Sequence, residues 1–191
     1  LVVTGQSGSG LSTVLDALQD SGFYCVDNLP IEILPDAMKW TLQSNRQVKK
    51  FAFGMDCRDP MFANSFAKAY DDLKSSVKLR LLFIECERNE LIRRFSTTRR
   101  KHPLDDMKQS LAEILKSENE ILKPIKHVAD DFINTTDWTP HYLKRVVERQ
   151  YGAGLAQRNL LFSISSFGFK KGPPINAEAI LDVRFLKNPY F

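Results

Sequence analysis

"LVVTGQSGSGLS", residues 1–12, is the stretch on which the reading of this chain turns. Leu1–Thr4 forms a short apolar strand, and a glycine-rich turn leads from it into Leu11, Val14, Leu15 and Leu18, spaced as on one face of a helix. Strand, turn and helix in that order make a phosphate-binding loop. The N–H groups of such a turn converge on phosphate oxygens, and the helix N-terminus adds a partial positive charge. Gly5, Gln6, Ser7, Gly8, Ser9, Gly10, Leu11 and Ser12 fill the pattern G-x-x-x-x-G-K-[ST] at every position but one. Leu11 stands where the lysine belongs. Ser12 supplies the hydroxyl that touches Mg²⁺ in such loops. The plainer alternative is a flexible turn whose Ser9 caps the helix, but the order of the flanking elements favours the loop.

Leu11 alters energetics and leaves topology alone. A lysine there reaches the β and γ phosphates as a point charge. Losing a charge-assisted hydrogen bond of ~1.5–3 kcal/mol weakens binding by roughly ten- to a hundredfold. Phosphoryl transfer suffers more, because charge grows on the transferred oxygens. The expectation is binding with hydrolysis weak or absent. An engineered knockout, a natural degenerate loop and a cation from elsewhere all account for Leu11; the last would come from Arg58 or the basic run 93–101.

Outward from the loop, strands and helices alternate. Residues 23–30 ("FYCVDNLP"), 51–60, 79–86 and 131–136 are strand-like, and 79–86 is almost continuously apolar, as in a strand buried on both faces. Residues 11–22, 31–44, 62–74, 88–99, 111–125 and 140–150 have helical spacing. Alternation of this kind predicts an α/β fold, a doubly wound parallel sheet of the P-loop NTPase, kinase-like class. Ligands in these sheets sit at the carboxyl ends of strands, where the loop, Asp27 and Asp56 all fall. The first domain is expected over 1–152, and 155–191 reads as the opening of an incomplete second domain, with strand-like "LLFSISSF" and "AILDVRFL". Its apolar residues Leu160, Leu161, Phe162, Ile164, Ile180, Leu181, Val183 and Phe185 call for cover, from the rest of that domain or from a second subunit in a homo-oligomer. The chain lacks an initiating Met and is expected to be a fragment.

Two acidic ends and one basic helix complete the candidate site. Asp56 follows an apolar strand, where a carboxylate holds Mg²⁺ through water, and Arg58 and Asp59 follow it; capping the next turn is the alternative. Asp27 stands where small kinases hold an acceptor or metal, or makes an Asx-turn before Pro30. "RNELIRRFSTTRRK" carries five arginines and a lysine in residues 88–101. Arg93, Arg94, Arg99 and Arg100 are candidates for a phosphate clamp, as in the lids of adenylate-kinase-like enzymes; an RNA-phosphate patch and a solvated helix face are the other readings. His102, His127 and His141 have no ligand or triad spacing, so surface or turn roles suffice.

Composition bounds the rest. The 191 residues carry a net charge of +4, too mild by itself to demand nucleic acid. Cys25, Cys57 and Cys86 lie in strand-like runs without metal spacing, as in a reduced cytoplasmic protein. No apolar run approaches the ~18 residues of a membrane span, and no signal peptide is present.

"GQSGSGLS", "GFYCVDNLP", "DCRD", "RNELIRRFSTTRRKHPL" and "SFGFKKGPPINAEAILDVRFLKNP" follow one another as in the bacterial RapZ/YvcJ family of nucleotide-binding proteins, which the chain resembles from end to end. The resemblance implies a kinase-like P-loop domain that binds ATP and GTP with Mg²⁺, and weak hydrolysis in some members. It implies Gly5 to Ser12 as the ATP site and Asp56, Cys57, Arg58 and Asp59 as the GTP site. It also implies a C-terminal domain from near residue 155 that, in enterobacterial members, binds a small regulatory RNA and presents it to an endoribonuclease. Leu11 departs from the family's lysine, and the chain stops before most of that domain, so RNA binding does not carry over to this stretch. Two rivals remain: a small-molecule kinase, and an RNA-binding adaptor with a vestigial P-loop. A kinase needs an acceptor that speeds ATP loss; an adaptor binds RNA with a steep salt slope and ignores nucleotide.

Overall fold

The computed structural model describes residues 1–44 (side chains to residue 40), 50–56, 66, 70, 73, 74, 77–99, 101–105 and 107–152, with 164, 166–168, 172, 179–182, 185 and 186 beyond them. In chain order the elements are β1 Val2–Gly5, α1 Leu11–Asp20, β2 Tyr24–Val26, a 3-10 turn Ile31–Ile33, α2 Leu34–Ser44, β3 Phe51–Gly54, β4 Leu81–Glu85, α3 Arg88–Thr98, α4 Leu111–His127, β5 Asp131–Asn134 and α5 Pro140–Tyr151. β2, β4 and β5 are shorter than their strand-like runs suggest, because the runs continue past the last ladder bond into the loops. Phe66, Tyr70, Leu73 and Lys74 are helical, and the rest of the helix expected over 62–74 lies outside the described residues.

All strand pairings are parallel, in the order β2-β3-β1-β4-β5. The chain is an α/β protein with a five-stranded parallel sheet. β1 and β4 are neighbours, yet the chain leaves β1 toward β2 and leaves β4 toward β5, on opposite sides. In open sheets this switch point is where ligands settle, outside the carboxyl ends of the strands.

Strand alternation divides the core. Val3, Leu82 and Ile84 face one cluster with Val14, Leu15 and Leu18 of α1 and Leu143, Val147 and Tyr151 of α5. Val2, Leu81 and Phe83 face the other, with Leu34, Phe53, Met55, Phe66, Tyr70, Leu122 and Ile125. Each fully buried side chain of this kind contributes about 1.5–3 kcal/mol. Helix starts are written in local chemistry. Ser110 and Glu113 form a capping box at α4, and Thr139 caps α5 with Pro140 in its first turn.

The chain divides into two compact units, 1–159 and 160–191. Most of the second lies outside the described residues, and those described there belong to no helix or strand. Ile164, Leu181 and Phe185 are exposed among them. Among the described residues no helix is long and apolar enough to cross a membrane, and Cys25 and Cys86 carry free thiols.

Candidate nucleotide-binding site

The glycine-rich loop joins β1 to α1 with φ of +155° at Gly5, +81° at Gly8 and +114° at Gly10. Positive φ lets the turn present its amides inward, and only glycine takes it without strain. Gln6 N–H donates to the Ile84 carbonyl at 3.1 Å and Ser9 N–H to the Gln6 carbonyl at 3.0 Å, which closes the loop on itself. The Gln6 side chain accepts from Cys86 N–H at 2.8 Å, tying the loop to the end of β4. Leu11 packs on the α1–α5 core cluster. The side chain in the lysine's place is therefore anchored in the core, and Ser12 beside it is exposed.

Behind the loop stands Arg94. Its guanidinium donates to Glu90, to the Gly8 carbonyl at 3.2 Å, to the Thr135 hydroxyl and carbonyl at 3.1 and 2.6 Å, and to the Trp138 carbonyl at 3.5 Å. A guanidinium has five N–H donors, and all are engaged here within the protein. Thr135 completes the support, its hydroxyl donating to the Ser9 carbonyl at 2.7 Å. Arg94 thus grips the carbonyl side of the loop. The clamp expected of it is not what this geometry provides, since its donors are already taken.

Arg93 is exposed and forms a fork with Glu90, at 2.6 and 2.7 Å. Arg99 ends α3 with φ of +53° and is exposed; Arg100 lies outside the described residues. Arg93 and Arg94 both engage Glu90, and Arg99 does not. Hydrogen bonds from Arg93, then from Arg94, hold the Glu90 carboxyl down to about 2. Because that lies below the ordinary carboxylate range near ~4.3, the contribution is present above that range and lost as pH falls through about 2. Glu90→Gln should lower the melting temperature near pH ~6, and the gap from the unmodified chain should close as pH approaches ~2. A gap that stays constant across this range rules the pair out as a stabiliser.

Asp27 follows the end of β2 and Asp56 lies two residues past β3, at the carboxyl ends of these parallel strands. Asp27 is exposed and its carboxylate accepts from Asn28 N–H at 2.8 Å. Asp56 is half-buried, and Cys57, Arg58 and Asp59 lie outside the described residues. A cavity of about 130 Å³ opens beside Gln6, lined by Arg88, Leu91, Leu115, Lys116 and Asn119. That is well below the ~300 Å³ from which ligand pockets usually begin.

Of the surface and turn roles expected for His102, the turn role holds, since its Nδ1 accepts from Leu104 N–H, and the surface role does not. His102 is 4% exposed and packs at a tilt of 45° against Phe95, with Nε2 3.3 Å from the carboxylate of fully buried Glu118. Glu118 in turn accepts from Ser7 N–H at 2.9 Å. His127 and His141 are exposed, as expected. Glu118, Thr135 and Glu90 had no place in the sequence reading. A signal for Glu118 existed: on α4 it falls in the stripe Leu111, Ile114, Leu115, Leu122, Ile125, a charge where spacing demands an apolar residue.

The RapZ-like N-terminal domain family matches residues 1–154, and the RapZ C-terminal domain family matches 160–191. The chain belongs to the RapZ family. It is 42% identical to the RNase adapter protein RapZ of Cronobacter sakazakii, 41% to that of Citrobacter koseri and 38% to a nucleotide-binding protein of Desulforapulum autotrophicum. Each alignment takes in 100% of this chain, which spans 65–66% of the relatives' length. In fold it is similar to shikimate kinase from Bacteroides thetaiotaomicron, with a TM-score of 0.52 at 13% identity over 78% of this chain and 95% of that one. A sugar kinase from Janibacter sp. gives 0.51 at 16% identity over 78% and 91%. The chain thus shares the fold of these kinases.

Proposed function

We propose that this chain is a regulatory nucleotide-binding module that holds ATP or GTP at Gly5–Ser12 and hydrolyses it weakly or not at all. The observation that carries the reading is the loop itself. Gly8 and Gly10 sit at positive φ between a buried central strand and the N-terminus of α1, at the carboxyl edge of the sheet. Mg²⁺ fits the same edge, because the Ser12 hydroxyl and the Asp56 carboxylate are hard oxygen donors of the kind it prefers. Bound there, Mg²⁺ would neutralise phosphate charge. Asp56 to Asp59 is the proposed GTP-contacting segment, from the family resemblance.

Two features speak against efficient phosphoryl transfer. Leu11 brings no cation to the loop, and Arg94 has spent its donors on carbonyls and Glu90. A small-molecule kinase role therefore ranks below a binding role. For the whole protein we propose the part named in its relatives, an adapter for an RNase, with a small RNA as partner, acting in the cytoplasm. A homo-oligomer is proposed from the uncovered apolar residues of the second unit.

The test is a titration of this chain and its Leu11→Lys form with ATP and GTP, with and without Mg²⁺. The expected result is binding by the original chain that tightens about ten- to a hundredfold on Leu11→Lys. No binding at millimolar nucleotide in either form defeats the reading.

A further inference from the structure

We propose that Glu118 is a resident anion of the phosphate loop, and that it makes the site prefer a nucleoside diphosphate to a triphosphate. This rests on the nucleotide-loop reading and deepens it. Glu118 has no exposure, and one carboxylate oxygen accepts the Ser7 N–H at 2.9 Å. The other stands 3.3 Å from Nε2 of His102, whose side chain is 1% exposed. His102 Nδ1 accepts from Leu104 N–H at 3.1 Å, which leaves the ring proton on Nε2. A wholly buried carboxylate that accepts a phosphate-loop amide and stands beside a buried imidazole is a costly arrangement, and it recruits an amide of the kind such loops offer to a ligand.

The consequence follows from charge and position. Inner phosphates lie over the helix N-terminus, at Gly10 to Ser12. Ser7 stands at the other end of the turn, with its amide already occupied by an anion. A terminal phosphate arriving there meets a like charge in a poorly screened site. Leu11 removes the ammonium that would offset both. His102 extends the device to the segment after α3, so the loop's surroundings are set by residues far along the chain, Glu118 being 111 positions from Ser7.

The experiment compares ADP with ATP, and GDP with GTP, by calorimetry without Mg²⁺ and again with it. The unmodified chain should bind the diphosphate about tenfold more tightly, the size of one lost charge-assisted contact. Glu118→Gln should narrow that ratio at least about threefold. A purely structural Glu118 would weaken both ligands together and leave the ratio where it was. The glutamine's NH₂ must face either Ser7 N–H or His102 Nε2–H, so folding is checked by circular dichroism. If the variant does not fold, the ratio in the unmodified chain decides alone. Triphosphate binding equal to or tighter than diphosphate in that chain overturns the proposal, as does an unchanged ratio in a folded variant. Failure of all four nucleotides to bind defeats the underlying loop reading, and the proposal with it.

Discussion

Gly5→Ala should leave little or no folded first unit. A Cβ at Gly5 would lie 2.0 Å from the carbonyl oxygen of Ile84 and 2.8 Å from the carbonyl carbon and amide nitrogen of the same residue. These are backbone atoms of the neighbouring strand, so no rotamer change relieves the clash. Gly5 pairs in register with Ile84, and the next amide, Gln6 N–H, donates to the Ile84 carbonyl. The two central strands would have to part where the loop begins. We expect a loss of more than ~4 kcal/mol, most of the ~5–15 kcal/mol that holds a domain together. Gly22→Ala is the control: φ there is +84°, but nothing lies within 4 Å of the added methyl. Its cost should be about 1–2 kcal/mol, from backbone strain alone. Urea unfolding of both variants checks the pair, and equal midpoints would refute the steric account.

Arg94→Met should destabilise the first unit by about 2–4 kcal/mol and weaken nucleotide binding by roughly tenfold or more. Removing the guanidinium takes donors from the carbonyls of Gly8, Thr135 and Trp138 and leaves Glu90 with Arg93 alone. Arg94→Lys should not restore either property, because one ammonium cannot span acceptors on three separate elements. Arg93→Met is the informative neighbour. That side chain is 70% exposed, and an exposed pair is worth under about 1 kcal/mol. Thermal melts and nucleotide titrations on the three variants separate the roles. Equal losses for Arg93→Met and Arg94→Met would show that the basic run acts through net charge and not through this network.

Much of the fold is legible in the chain because its signals are local. Apolar periodicity of 2 or 3.6, the glycines of residues 5–10, the capping pair Ser110 and Glu113, and β-α alternation each depend on neighbours in sequence. They led to a parallel α/β sheet of kinase-like class, and the fold shared with shikimate kinase agrees with it. Element ends were less legible. Ladder bonds and not hydropathy end a strand, so 79–86 shortened to Leu81–Glu85 and 131–136 to Asp131–Asn134.

The amino-acid sequence by itself determined the fold class, the place of the glycine-rich loop between β1 and α1, and the loss of its lysine at Leu11. Tertiary structure decided what surrounds that loop. Ser7 and Glu118 are 111 positions apart, Gly8 and Arg94 86, and Ser9 and Thr135 126. Strand order β2-β3-β1-β4-β5 brings them together, and no periodicity encodes a contact at such separations. The same arginine-rich run reads as a lid, an RNA patch or a solvated face until the sheet is assembled. Only then does burial distinguish Arg94, which supports the loop from behind, from Arg93, which stays in water. Direction is a property of packing, and a run of charges in sequence has none.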